Sequence, residues 1–576
     1  MKKIISIILG TFISFSIGST FFSCSDYLDV DEYFQDLISL DSAFAKRKYA
    51  DAWLSNAYQH MQQDLGEFEG YLKYASDDVI TYDEKGKDLQ NGKIDITSDD
   101  YRKRYERIYE AVRKASTFIN NIDKCEEMTK SEISDYKAQA RFLRAYSYWT
   151  LIREFGPVPL VPAEGLEVNL SYEELSLPRT HLDKIVDFID EDLVLAALNL
   201  PTSRTANNLG RPTRGASLAL RARVMLYVAS PLLNGNTDLF NVKNKDGEQL
   251  VPQEYDESKW ARAAAAAKEV IDLGIYDLAI VKPSPGTPDE ERPPYNAEFS
   301  EKNYPDGWAD LDPYASYKAN FDGTLRGSKN SELIFTRTYI KETITNIAKD
   351  GVPKSLKGNN KLGVTQKAVD AFYMNDGRTI DEASEDGDYI EEGFTTTAGQ
   401  YPFVPLDVSL MYVNREPRFY ATVAFSGSLW ECESANETQY KNQQIFYYRD
   451  GTDGKQGFKE ECPLTGIGFN KYNNREDAYT TGGYRVDKTE PTIRYAEILL
   501  AYAEALNELS PGKSYMVKSY KDDDITVEYN LNEIRRAIKP IRMRAGLPDY
   551  KDAEYNNKNN LRLKMKRERQ IEFIGE

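Results

Sequence analysis

The sequence predicts a mainly α protein: a tetratricopeptide-like helical scaffold of stacked helix pairs carrying an irregular insert of loops and short strands. Three observations predict it. Apolar residues recur at helical spacing through most of residues 24–280. Between 281 and 490 that period gives way to proline, glycine, aspartate and aromatic residues in short alternating pieces. Helical periodicity then returns over 491–576. Successive helices with short breaks suggest antiparallel pairs, although no clean repeat of about 34 residues is visible.

The first residues bear on the compartment. Lys2 and Lys3 precede an apolar stretch over 4–17, too short and too close to the terminus for a membrane span. Residues 1–23 therefore read as an export signal. Phe21-Phe22-Ser23-Cys24 places a small residue directly before a cysteine, in the manner of a bacterial lipobox, although Phe21 stands where leucine is usual. Cleavage before Cys24 would free its thiol to carry a diacylglycerol, and two or more chains hold a protein firmly. The acidic residues Asp26, Asp29, Asp31 and Glu32 then suit either a tether or a solvated terminus.

The helices follow in order. Residues 46–63 and 101–122 each carry one apolar face; in the second it is Tyr105, Ile108, Val112, Ala115 and Ile119. Phe142, Ala145, Tyr146, Trp149 and Ile152 form the next stripe, with Leu143, Ser147 and Leu151 beside it, so that helix buries a broad face. Phe155-Gly156-Pro157 stops it. Residues 180–198 read as helical up to Leu200-Pro201. Residues 213–229 align Ala216, Ala219 and Ala222 for close helix approach, and 259–273 end at Gly274.

The insert begins with Pro283, Pro285, Pro288, Pro293 and Pro294, followed by Tyr295, Tyr304, Trp308, Tyr314, Tyr317 and Phe321. A strand is expected over 332–339, ELIFTRTY. Trp430 reads as packing within the insert, and Trp53 and Trp149 as helical core. After Pro491, Tyr495, Ile498, Leu499, Tyr502, Leu506 and Leu509 make a strong stripe, and helices over 531–544 and 560–573 complete the chain.

Composition excludes several classes of function. No second run of about 18 apolar residues appears. The formal net charge is −19, so long-range attraction to nucleic acid is not expected. The two histidines, His60 and His181, leave little room for imidazole chemistry, and His181 reads as a surface residue at a helix start. No CxxC or EF-hand pattern occurs, so neither metal nor other cofactor is called for. Cys125, Cys432 and Cys462 remain beside Cys24; Cys432 and Cys462 can bridge in an oxidising compartment, but their spacing alone does not show it.

Seven stretches in order resemble the SusD/RagB family of outer-membrane lipoproteins. They are the CSDYLD start at 24–29, RFLRAYSYWTLIREFGPVPLV at 141–161, GRPTRGASLALRARVMLYVASPLLNGN at 210–236, VDAFYMNDGR at 369–378, REPRFYATV at 415–423, IRYAEILLAYAEALNE at 493–508 and MRAGLP at 543–548. Two departures stand out. Val30-Asp31-Glu32 replaces the usual early proline, and the chain ends at KMKRERQIEFIGE (564–576), where relatives continue. That ending leads to the expectation that the last helix lacks a packing partner. The resemblance implies a surface-exposed protein, anchored in the outer membrane at Cys24, that captures oligosaccharide or polysaccharide and delivers it to a TonB-dependent transporter of the SusC type. The alternatives are a RagB-like peptide binder and, less favoured, a surface glycoside hydrolase.

A glycan binder needs aromatic planes for the C–H face of a sugar and fixed polar groups for its hydroxyls. Tyr304, Trp308, Tyr314 and Tyr317, beside Asp310, Asp312 and Asn320, supply both in one loop. Asp77, Asp78 and Tyr82 lie in a second loop, where relatives often place ligand contacts. Against this stands the reading that each of these aromatics packs the insert onto the helices. A glycosidase would need two carboxylates about 5–10 Å apart; with 92 acidic residues such pairs are inevitable, and no motif marks one as catalytic.

Overall fold

The structure, a computed structural model, describes residues 40–66, 76–82, 84–94, 97–166, 170–284, 292–337, 347–458 and 461–576. The export signal over 1–23 and the lipidation expected at Cys24 lie outside them, as do the last two residues of the strand expected over 332–339. Helices named below are numbered in chain order.

The scaffold opens with α1 (Arg47–Gly66), α2 (Asp99–Asn121) and α3 (Lys130–Phe155). It continues through α4 (Leu182–Asn199), α5 (Arg214–Ala229) and α6 (Ser258–Ile271). Each helix packs on the next in sequence, which is the stacking expected of a helical solenoid. The third helix has the sharpest boundaries. Thr129 caps it, accepting from the Glu132 amide while the Glu132 side chain accepts from the Thr129 amide, a reciprocal arrangement that stabilises a helix start by about 1 kcal/mol. Gly156 ends it at φ 69°, where a Cβ would be strained. Between these ends nearly every residue from Ala138 to Ile152 is buried, so the broad stripe is matched by helices on both sides.

Small residues and paired charges fix the spacing. Ala216, Ala219 and Ala222 of α5 and Ala263 to Ala267 of α6 are buried, which lets the two backbones approach closely. Arg144 of α3 clasps Asp192 of α4 with two bonds, Nε to Oδ2 at 2.7 Å and Nη2 to Oδ1 at 2.9 Å, and Arg141 adds a third at 2.8 Å. His181 is the N-cap of α4, where its Nδ1 accepts from the Asp183 amide. Trp149 is buried and meets Tyr227 edge-on at 5.1 Å, while Trp53, half-buried, donates to the Lys114 carbonyl.

The chain leaves the scaffold after α6 and returns at α10 (Tyr495–Glu508), which packs back against α6. The insert between them carries the short helices α7 (Pro313–Lys318), α8 (Gln366–Ala371) and α9 (Pro417–Thr422). Its main sheet, which takes its edge strand from the segment between α1 and α2, is antiparallel in the order β1-β3-β7-β4, made of Val79–Thr81, Leu362–Val364, Gly468–Phe469 and Val423–Ala424. The expected strand at 332–339 shortens to β2 (Leu333–Phe335), which pairs with β8 (Ile493–Arg494) and so staples the insert to the start of α10. A further pair, β5 (Ser428–Trp430) and β6 (Gln443–Ile445), is in register Leu429↔Gln444. Trp430 is buried in a small core with Cys432 and Ile445, as packing within the insert requires. Cys432 and Cys462 are both free thiols, and burial pushes Cys432 up to about 12.

The C-terminal part adds a hairpin, β9 (Ser514–Lys518) with β10 (Asp524–Glu528), then α11 (Leu531–Arg544) and α12 (Lys558–Phe573). The expectation that the last helix lacks a packing partner is corrected. Leu561, Met565, Glu568, Ile571 and Glu572 are all buried, because α12 lies against α10 on one side and α8 on another. Glu568 and Glu572 are neutralised by arginines from the insert and from α11.

Candidate functional site

The loop expected to bind ligand is largely a packing device. Trp308 is 5% exposed, with its ring 5.4 Å from that of Phe299 in a cluster with Leu311 and Met543. Tyr317 is fully buried and donates its hydroxyl to the Glu572 carbonyl at 3.1 Å. Neither ring offers a face to solvent, so these two expectations are corrected: the aromatic rings serve the core. Asp312 caps α7, accepting from the Ala315 amide, and Asn320 is buried between Glu332 and Asn330. Asp310 accepts from the amide of Tyr304, whose half-buried ring borders the scaffold core. Tyr314 is half-buried and stacks on Phe403 at 5.2 Å, keeping part of its surface open.

The second expected loop is a set of ties. Asp77 is exposed, yet its carboxylate takes a 2.8 Å bond from Lys367, which holds it below the usual carboxylate range. Asp78 accepts from Gln570 Nε2 of α12 at 2.7 Å, and Tyr82 donates to the Asn359 carbonyl at 2.7 Å. Val79 of this loop and Tyr317 of the other are buried in one further core, built with Phe321, Phe419, Phe425 and Phe469.

An aromatic surface that sequence reasoning missed stands on β5 and β6. Alternation along β6 and the extended residues after it turns Ile445 and Tyr447 into the core, and sends Gln444, Phe446 and Tyr448 outward. The same alternation leaves Leu429 48% exposed between buried Ser428 and Trp430. Phe394 comes from a neighbouring loop and is 53% exposed. Its ring lies 6.3 Å from that of Tyr448, at 69°, and Tyr448 in turn stacks at 6.3 Å and 28° with Phe446. Leu406, also exposed, flanks them, and its carbonyl accepts from Gln444 Nε2 at 2.7 Å.

The base of this platform is rigid. Gly427, at φ +90°, turns the chain into β5 and donates to the Ile445 carbonyl at 2.7 Å. A Cβ there would stand 2.7 Å from Val408 Cγ2 and 3.5 Å from the Phe446 ring. Beneath, Tyr412 and Phe425 stack at 4.9 Å, and the rings continue through Tyr420 and Phe403 to Tyr314. Burial and the neighbouring Tyr448 push Tyr412 up to about 12. Rings held apart from their own core, with apolar faces in water, suit a flat C–H surface on a ligand.

A different cavity, of about 550 Å³, lies among α3, α5, α10 and α12. Its walls are mainly charged and ion-paired: Arg223 with Glu497 and Arg337 with Glu490 inside it, and Arg569 with Glu504 behind it.

Comparison with known proteins adds to this geometry. A family model described as the SusD family matches residues 301–576, and one described as starch-binding, associating with the outer membrane, matches residues 26–226. SusD-like protein P25 of Formosa agariphila is 22% identical over 165 residues, a stretch that takes in 26% of this chain and only 30% of that relative. Among solved structures, a SusD-like protein from Bacteroides fragilis superposes with a TM-score of 0.64 at 23% identity, covering 93% of this chain and 86% of the other. A SusD-like carbohydrate binding protein from the same species gives 0.60 at 19%, covering 93% and 85%. At these identities the superpositions establish the fold.

Proposed function

Because the chain belongs to the SusD/RagB family, we propose that it is a cell-surface binding protein that captures oligosaccharide or polysaccharide on the Phe394–Phe446–Tyr448 platform. In this reading Cys24 carries the lipid that holds it at the outer membrane, and the captured glycan passes to a TonB-dependent transporter of the SusC type. Capture, not cleavage, is its task. The observation that carries the reading is the exposure of adjoining ring faces on a rigid base, beside strand-borne Gln444. The description of the N-terminal family model as starch-binding and associated with the outer membrane supports both the ligand class and the location. Tyr314, Tyr304, Asp77, Asp78 and Tyr82 stay on as secondary contacts in this proposal, since each keeps some surface open.

The test is a binding screen of the chain without residues 1–24 against polysaccharides and peptides, by affinity gel and calorimetry, with analysis for cleavage products. Retention by one glycan, lost in Tyr448→Ala and kept in Tyr484→Ala, supports the platform; Tyr484 is an exposed tyrosine outside it. Release of shortened glycan would replace capture by hydrolysis. Binding to peptides alone would make this a RagB-like peptide binder.

A further inference from the structure

Resting on that reading, we infer that the platform selects by charge: it takes uncharged or amine-bearing glycans and turns away polyanionic ones. The rings do not stand alone. Glu391 and Glu392 precede Phe394 by three and two residues, Asp450 follows Tyr448 by two, and Asp407 follows Leu406. Three residues of chain span at most about 11 Å, so each of these acidic residues has its backbone close to the ring it flanks. Asp407 is placed independently, since its carbonyl and the Phe446 ring both stand within 3.5 Å of the point where a Gly427 Cβ would be. All four acidic side chains are exposed, and among the described residues none forms an ion pair. Arg449 follows Tyr448, and Lys455 lies beside it next to Gly454, which packs on the Tyr448 carbonyl, so the four carboxylates still outnumber the neighbouring cations.

Two effects then act in the same direction. Aromatic faces carry a negative quadrupole that attracts ammonium groups and repels carboxylates. The rim adds an excess of negative charge within roughly one Debye length, about 8 Å at physiological salt. A sugar stacked on Tyr448 would carry any C6 carboxylate or sulfate into that field. A neutral hydroxymethyl group feels little of it, and an amino group is drawn in. The rings supply the site, and the rim decides which sugars reach it.

The experiment is calorimetry of the full mature chain at 20 and 150 mM salt. Soluble starch and xyloglucan serve as neutral probes, glycol chitosan as the amine-bearing probe, and polygalacturonate and chondroitin sulfate as anionic ones. Only binding lost in Phe394→Ala/Tyr448→Ala counts, which removes general attraction between chitosan and an acidic protein. The expected result is platform-dependent binding confined to neutral and amine-bearing probes. The charge-neutralised variant Glu391→Gln/Glu392→Gln/Asp407→Asn/Asp450→Asn is expected to keep neutral binding within about twofold and to gain on the anionic probes by about tenfold at low salt. Platform-dependent binding of polygalacturonate or chondroitin sulfate as tight as that of starch overturns the inference, as does discrimination that survives neutralisation. Neutral binding that ignores Phe394→Ala/Tyr448→Ala refutes the platform itself, a distinct failure, and absence of glycan binding overturns both.

Discussion

Arg494 meets Glu572 twice, its Nη1 donating to Oε1 at 2.6 Å and its Nη2 to the backbone carbonyl at 2.7 Å. Both side chains are buried, and around them Arg418, Arg544, Glu332 and Glu576 complete a set of charges with no access to water or nearly none. Burial works to raise the Glu572 carboxyl, but Arg544, Arg494 and Arg418 together hold it well below the usual range.

Removing one partner from such a set leaves others buried without compensation. Arg494→Met is expected to destabilise the protein by about 3–5 kcal/mol. Adding Glu572→Gln to it should restore part of that loss, with a coupling of roughly 1–3 kcal/mol between residues in direct contact. Urea unfolding of the four proteins in the cycle measures both. Strict additivity would show that the two residues do not act as a pair.

Trp308 and Tyr448 should separate packing from binding. Trp308→Ala opens a cavity under Phe299 and is expected to cost about 3–5 kcal/mol while the folded fraction binds glycan normally. Tyr448→Ala removes a 41% exposed ring, with little change in melting temperature and loss of glycan retention. The reverse pattern would return the site to the 304–317 loop.

Two glycines with positive φ offer a matched pair. Gly512, at φ +81°, has open space where a Cβ would go, whereas Gly427 meets Val408 and the Phe446 ring. Both alanine variants are expected to lose about 1 kcal/mol or more from backbone strain. Only Gly427→Ala should also weaken glycan binding, by displacing Phe446; calorimetry on the two variants decides.

The hairpin makes a pH prediction. Glu257 accepts from the Ser510 hydroxyl at 2.6 Å, the Ser510 amide at 3.0 Å and the Tyr515 hydroxyl at 2.8 Å. Burial works against its charge, yet these donors prevail and hold it down at about 2. Its folded value therefore lies below its unfolded one, so it contributes stability in full above about pH 4.5 and loses it as the pH falls toward 2. Glu257→Gln should melt earlier than the parent at pH 7 and at the same temperature near pH 2. A gap that stays constant over this range would refute the assignment.

Much of the scaffold was legible because burial there follows a single period. The stripe from Phe142 to Ile152 and the stop at Gly156 fall where the sequence places them, and the helices at 101–122 and 531–544 match α2 and α11 to within about two residues. The insert was not, because tyrosine, tryptophan and aspartate in a loop have the same composition whether they bind or pack. Trp308 turned inward to meet Phe299, a partner no local pattern announces. The platform was hidden for another reason. Its signal is the alternation of Gln444, Phe446 and Tyr448, three residues long, and its third ring comes from Phe394, some fifty positions earlier. The turn at Gly427 against Val408, the β5–β6 pairing and the Phe394↔Ser409 bridge bring them to one surface. The last helix finds its partners within the chain, packing Leu561, Met565 and Ile571 and pairing Glu568 and Glu572 with Arg418 and Arg494, contacts that its own sequence does not announce.

The charge set around Glu572 also dictates an order of events during synthesis. Arg418, Arg494 and Arg544 leave the ribosome before Glu568, Glu572 and Glu576 do. Until those last carboxylates arrive, burying the three arginines beside Glu332 and Glu416 would leave positive charge uncompensated in the interior, at a cost of several kcal/mol. The core that joins Ile571 and Ile574 to the insert therefore cannot close before residues 568–576 have been made. The N-terminal helices, each packed on the next, can form from local contacts before that point, and the insert takes its final shape only after it.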